Sequence, residues 1–239
     1  MLTSVTREHS TAPPTFSRAA TWAAAAAGAA LLAVFLKLSE ELFVDPVPDP
    51  RITRIDALAL ALQLRSRRGW LTGVAVDPTA LGSPLVLGLV VVGLLLVLGM
   101  KRDRFGALLV VCSAAGAGAL TLLLKRLIER ERPSLGSRLV VVDGYSYPSG
   151  HSLMSAAILM SAAIIACRQL RTMGQQLTAL AFTGVVVSAV ALSRVYLGVH
   201  YPSDVVAGTS LGLAWAFFVA AALSWLEGRR PAERDEPGK

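Results

Sequence analysis

The sequence predicts an all-α fold: a polytopic bundle of six transmembrane helices, with a short interfacial helical segment between the first two. Three features predict it. The chain contains several long charge-free apolar runs, the two shortest connections between them are basic, and both ends are polar. Runs close to 20 residues are too long for ordinary core helices and suit a hydrocarbon layer about 30 Å thick. In chain order they cover residues 19–36, 84–100, 105–124, 151–167, 177–193 and 205–226.

The first run is Ala-rich and the least apolar. Arg18 ahead of it also fits a signal peptide, but the run exceeds the roughly 7–15 residues of a typical signal core, so a retained first span is expected. Residues 1–18 and 227–239 read as cytoplasmic tails flanking one membrane domain over 19–226. Lys101-Arg102-Asp103-Arg104 joins the second and third spans, and the segment with Arg168 and Arg171 joins the fourth and fifth. With both tails and these basic loops cytoplasmic, six spans alternate without conflict. Residues 37–83, 125–150 and 194–204 then face outward. Within the first of these, residues 51–70 place Ile55, Leu58, Ala59 and Leu62 at helical spacing, the pattern of an amphipathic helix lying at the interface.

A formal charge of +7 raises nucleic-acid binding. The cations are mostly Arg scattered between apolar spans, as positive-inside loops produce, so no nucleic-acid partner is expected. Cys112 and Cys167 lie within spans and lack metal-ligand spacing, so they read as packing residues. The Ala-, Val- and Arg-rich composition with few Lys points to a GC-rich bacterium.

Three separated groups carry chemistry. Lys125, Arg132 and Pro133 form K-x6-R-P. Seven residues are nearly two helical turns, so both cations share a face if the third span continues outward, and together they can grip a polyanion. Pro148-Ser149-Gly150-His151 precedes the fourth span. There Ser149 or Gly150 can cap a helix whose N-terminal amides and dipole favour an anion. Ser193-Arg194, His200 and Asp204 form S-R-x5-H-x3-D, in which a carboxylate can orient the imidazole and stabilise its charged form. Each string alone has a plainer reading, as a basic helix end, a turn or a helix cap. The alternation of spans, derived without reference to these residues, nevertheless places all three on one membrane face.

In this order the three strings resemble the signatures of the type 2 phosphatidic acid phosphatase (PAP2) superfamily, over roughly a third of the chain. The resemblance implies a lipid phosphatase without cofactor or metal. In it, His200 attacks phosphorus and forms a phosphohistidine, Asp204 orients His200, and His151 protonates the leaving oxygen and later helps activate water. Lys125, Arg132, Arg194, Ser149 and the Gly150 amide would bind the phosphate. An apolar boundary suits a lipid phosphate: phosphatidate, phosphatidylglycerophosphate, or a polyprenyl phosphate or diphosphate. The alternatives are a phosphotransferase using the same intermediate and a non-catalytic anionic-lipid binder or transporter. The expected location is the bacterial inner membrane, with the site on the extracytoplasmic side.

Overall fold

A computed structural model describes residues 17–44 and 48–229; of the tails expected at 1–18 and 227–239, residues 1–16 and 230–239 lie outside the described residues. The described residues form eight α-helices: α1 (Arg18–Ser39), α2 (Pro50–Arg65), α3 (Gly69–Leu81), α4 (Pro84–Met100), α5 (Arg104–Ile128), α6 (Gly150–Gln169), α7 (Met173–Tyr196) and α8 (Pro202–Gly228). Local chemistry sets several of their starts. Ser17 accepts from the Ala20 amide, Asp103 from the Gly106 amide and Thr172 from the Gln175 amide. Pro84 and Pro202 open α4 and α8, where a missing N–H costs nothing.

Five helical segments are long and apolar enough to cross a membrane: Arg18–Val44, α5, α6, α7 and α8. A sixth is met by a bent pair: Thr72–Leu81 and Pro84–Met100 pass together across a 43° bend, the geometry of a broken span or a re-entrant loop. Residues 69–81 were expected within an outward loop, yet they form a helix against α7. Their small and polar residues, Thr72, Gly73, Asp77, Pro78 and Thr79, lower the local hydropathy and hide the span from run length.

Helix α8 is central, packed on α1 and α6. Without a hydrophobic drive between apolar helices in lipid, close backbone approach through small residues does this work. A Cβ on Gly208 would lie 2.5 Å from the Ser149 carbonyl oxygen, so only glycine lets α8 reach the start of α6. That contact joins the second chemical group to the third.

The interfacial helix exists as α2, but its register reverses the simplest amphipathic picture. Ile55, Leu58 and Leu62 are exposed, while Asp56 and Gln63 are buried against the bundle. The apolar face is the outer one, as a helix lying in lipid requires. The polar face binds protein: Gln63 Nε2 donates to the Ser137 and Tyr196 carbonyls at 3.2 and 2.9 Å. At the other end of the bundle the two short basic loops meet. Lys101 Nζ donates to Gln169 Oε1 at 2.7 Å, and Arg168 lies 3.6 Å from Asp103.

Candidate active site

Lys125 lies in the last turn of α5 and donates to the Tyr145 carbonyl. Helix α5 stops at Ile128, where Glu129 turns left-handed at φ 50°. Arg132 therefore does not share a helical face with Lys125, contrary to the spacing argument. It reaches the site from the following loop, held by three carbonyls: Nε donates to Gly144 at 2.8 Å, Nη1 to Val199 at 2.8 Å and Nη2 to Asp143 at 3.3 Å.

Ser149 precedes α6 and is fully buried, but its side chain accepts no first-turn amide. Its Oγ instead takes a bond from Ser152 Oγ at 3.0 Å, and its amide donates to the Asp204 carbonyl at 3.0 Å. Gly150 opens the helix beside Thr121 and the Lys125 chain. His151 follows, with Arg194, His200, Arg132 and Lys125 all near enough to act on its charge.

His200 lies between α7 and α8 and is almost wholly buried. Its Nδ1 is 3.3 Å from Asp204 Oδ2, one turn on, and its Nε2 is 3.1 Å from Arg132 Nη1. A proton on Nδ1 satisfies Asp204 and leaves a lone pair on Nε2 facing the cations. Burial pulls the His200 pKa down to about 4, against the opposing hydrogen bond and charge of Asp204.

Asp204 is fully buried and has no shortage of donors: Arg130 Nη1 at 2.6 Å, the Tyr201 amide at 2.9 Å and the Ser146 hydroxyl. Arg194 is 3% exposed. Its Nη1 donates to Thr79 Oγ1 at 2.9 Å, while its buried Nε has no partner. A buried unpaired donor on a guanidinium is costly unless a ligand completes it.

The eight candidate residues thus occupy one end of the bundle, drawn from α5, α6, α7, α8 and the connecting loops. Several supporting residues were not singled out from sequence. Arg130, two positions before Arg132, had no feature separating it from its basic neighbours. Asp56 is the sole acidic residue within 51–70, which was the available signal. Ser146, Thr79 and Gly82 come from segments without a motif. Gly82, at the α3–α4 bend, lies against His151: a Cβ there would be 3.3 Å from the imidazole Cδ2 and 2.5 Å from Val190 Cγ1. Among the described residues, no group of three or more His, Cys, Asp or Glu side chains is placed to hold a metal ion.

Fold and site together define an integral membrane helix bundle with a cluster of cations and two imidazoles, partly to wholly buried, at one end. The chain belongs to the PAP2 superfamily, whose family model matches residues 106–227. It is 34% identical over 157 residues to phosphatidylglycerophosphatase B of Bacillus subtilis, covering 64% of this chain and 75% of that relative. It is 37% identical over 129 residues to decaprenylphosphoryl-5-phosphoribose phosphatase of Mycobacterium tuberculosis, covering 53% and 66%. The fold is similar to the crystal structure of a transmembrane PAP2 type phosphatidylglycerolphosphate phosphatase from Bacillus subtilis. The TM-score is 0.74 at 27% identity, covering 87% of this chain and 98% of that one.

Proposed function

We propose that the chain is a membrane phosphatase that hydrolyses a phosphorylated lipid at the extracytoplasmic boundary of a bacterial inner membrane, through a phosphohistidine on His200 and without metal. The observation that carries this reading is the double engagement of His200, with Nδ1 on Asp204 and Nε2 turned to the cations. A protein that only bound anionic lipid would need the cations but not an oriented ring nitrogen.

In the first step His200 Nε2 bonds to phosphorus while the bond from phosphorus to the lipid oxygen breaks, and His151 gives that oxygen a proton. Positive charge left on the His200 ring is balanced by Asp204. In the second step His151 takes a proton from water as the water oxygen attacks phosphorus. The P–N bond breaks, inorganic phosphate leaves, and both histidines return to their starting states. Lys125, Arg132, Arg194 and the first amides of α6 balance charge on the transferring group, the main demand of phosphoryl transfer. The relatives' names support a lipid substrate: they denote phosphatases of phosphatidylglycerophosphate and decaprenylphosphoryl-5-phosphoribose.

The test is phosphate release by detergent-purified protein across a panel of lipid phosphates and diphosphates, in excess chelator, with His200→Ala as the blank. Release that persists in EDTA and vanishes in the blank supports the reading. Near-normal turnover by His200→Ala rejects the nucleophile, and a strict divalent-ion requirement rejects the metal-free step. Release only when an acceptor is supplied would mark a transferase.

A further inference from the structure

Arg130 belongs to no motif, yet its guanidinium is shared by two buried carboxylates. Nη1 lies 2.6 Å from Asp204 Oδ1, and Nη2 lies 2.8 Å from Asp56 Oδ2. Asp56 is 3% exposed and comes from α2. It also accepts from the Ser203 amide at 3.1 Å and the Ser203 hydroxyl at 2.5 Å, so it grips the first turn of α8 directly ahead of Asp204. The Tyr201 ring packs 4.3 Å from the Arg130 carbon and closes the cluster on one side. Phe43, at the end of the first span, lies 5.9 Å away.

Charge makes this arrangement more than a brace. A guanidinium paired with Asp204 alone would cancel the carboxylate behind His200. Shared between two carboxylates it leaves one net negative charge in the cluster, while still fixing Asp204 through a short charged hydrogen bond. Burial works against the charge on Arg130, but Asp204 and Asp56 outweigh it and hold its pKa above the ordinary value.

We propose that Asp56 and Arg130 are positioning residues: α2 supplies a second carboxylate so that Arg130 holds the Asp204 side chain in place without neutralising it. The proposal rests on the reading of His200 and Asp204 given above. It also gives α2 a task, because a helix lying in lipid with its apolar face outward is tied to the pocket through Asp56. Other charged or titratable groups facing His200 are Arg132 and Lys125, with His151 opposite; Asp143 acts on Arg132, and Glu131 on Tyr201.

The two carboxylate partners of Arg130 give substitutions with opposite signs. Arg130→Gln removes the positive charge beside Asp204, so the His200 imidazolium is better stabilised and the acid limb of kcat/KM moves to higher pH. Asp56→Asn removes a negative charge and keeps the shape, so the limb moves lower. In both, kcat should fall on the order of 10–100-fold with little change in KM, as for groups one step from the reacting atoms.

A merely structural role predicts something else. Loosening the cluster admits water, and both variants would drift upward in pH together. The experiment is a pH profile of phosphate release for wild type, Arg130→Gln, Arg130→Lys and Asp56→Asn, with His200→Ala as the blank and thermal unfolding run in parallel. Opposed behaviour of Arg130→Gln and Asp56→Asn, with partial recovery in Arg130→Lys, supports the proposal. A common upward drift, or a wild-type profile in Asp56→Asn, overturns it. If Asp56→Asn is not recovered folded, Arg130→Lys decides: a limb back at the wild-type position supports the charge role, and an upward drift like that of Arg130→Gln overturns it. An active His200→Ala blank would instead defeat the underlying reading of the site.

Discussion

Arg132 Nη1 lies 3.1 Å from His200 Nε2, on the ring nitrogen opposite the one that faces Asp204. On the proposed reaction the guanidinium lies beside the nitrogen that would attack phosphorus, and it is fixed there by the Gly144, Val199 and Asp143 carbonyls. A phosphate oxygen arriving at His200 meets Arg132 donors already in place. Arg132→Ala should lower kcat/KM on the order of 10²–10³-fold, the usual loss for one preorganised donor. Arg132→Lys should recover little, because an ammonium cannot span three carbonyls and the ligand at once. Steady-state phosphate release measures both, and wild-type activity in Arg132→Lys would contradict a role for the planar fork.

The same histidine sets an acid limit. Burial holds the His200 pKa down to about 4, below its ordinary value of 6.5. His200 is therefore neutral through the physiological range, and if it is the nucleophile proposed above, kcat/KM should fall only as pH drops through about 4. Between 6.5 and about 4 the unfolded chain binds the proton that the folded one refuses, so this group's share of stability declines across that window as pH falls. A bell-shaped profile with its acid limb below pH 5, and thermal unfolding that weakens from pH 6.5 downward, are the expected results. An acid limb near 6.5 would mean that the ring is open to water.

Gly208 ties helix packing to site geometry. Its backbone meets the Ser149 carbonyl so closely that an added Cβ would sit 2.5 Å away. Gly208→Ala must push α6 from α8, and overpacking of this kind costs about 1–3 kcal/mol. Because α6 carries His151 directly after Ser149, and α8 carries Asp204, activity should fall further than stability alone explains. Thermal unfolding in detergent, read beside turnover at a temperature where the variant is folded, separates the two. Gly73, whose added Cβ would meet nothing within 4 Å, is the control: Gly73→Ala should leave both unchanged.

What was legible in the sequence followed from how each signal arises. Four spans, over 105–124, 151–167, 177–193 and 205–226, were plain because unbroken apolar runs satisfy the bilayer by themselves, and 84–100 and the Ala-rich 19–36 followed with less contrast. The α3 half of the bent pair was not plain, because Pro78, Thr79 and Asp77 dilute its hydropathy and it packs on α7. The motif residues were visible because their chemistry is written in the residue types. Their helical placement was not: a left-handed Glu129 ends α5 before Arg132, and nothing in K-x6-R-P marks that turn. Asp56 and Thr79 were missed because each serves the pocket from a distant segment, and such contacts have no local period.

Thr79 yields the last expectation. Its hydroxyl is the acceptor for Arg194 Nη1 at 2.9 Å, while Arg194 Nε lies buried without a partner. The guanidinium is thus anchored at one nitrogen and open at another, so that a phosphate oxygen can complete it. Thr79→Val keeps the shape and removes the anchor, leaving a buried charged donor unsatisfied at about 1–3 kcal/mol. Arg194 can then turn to satisfy itself elsewhere, and the donor proposed to meet phosphate is displaced. KM for the lipid phosphate should rise and kcat/KM fall roughly ten-fold, since 1.4 kcal/mol corresponds to a factor of ten. Thr79→Ser, which retains the oxygen, should stay close to wild type. Wild-type behaviour of the valine variant with a loss in the serine variant would show that the methyl group matters and that the hydroxyl does not.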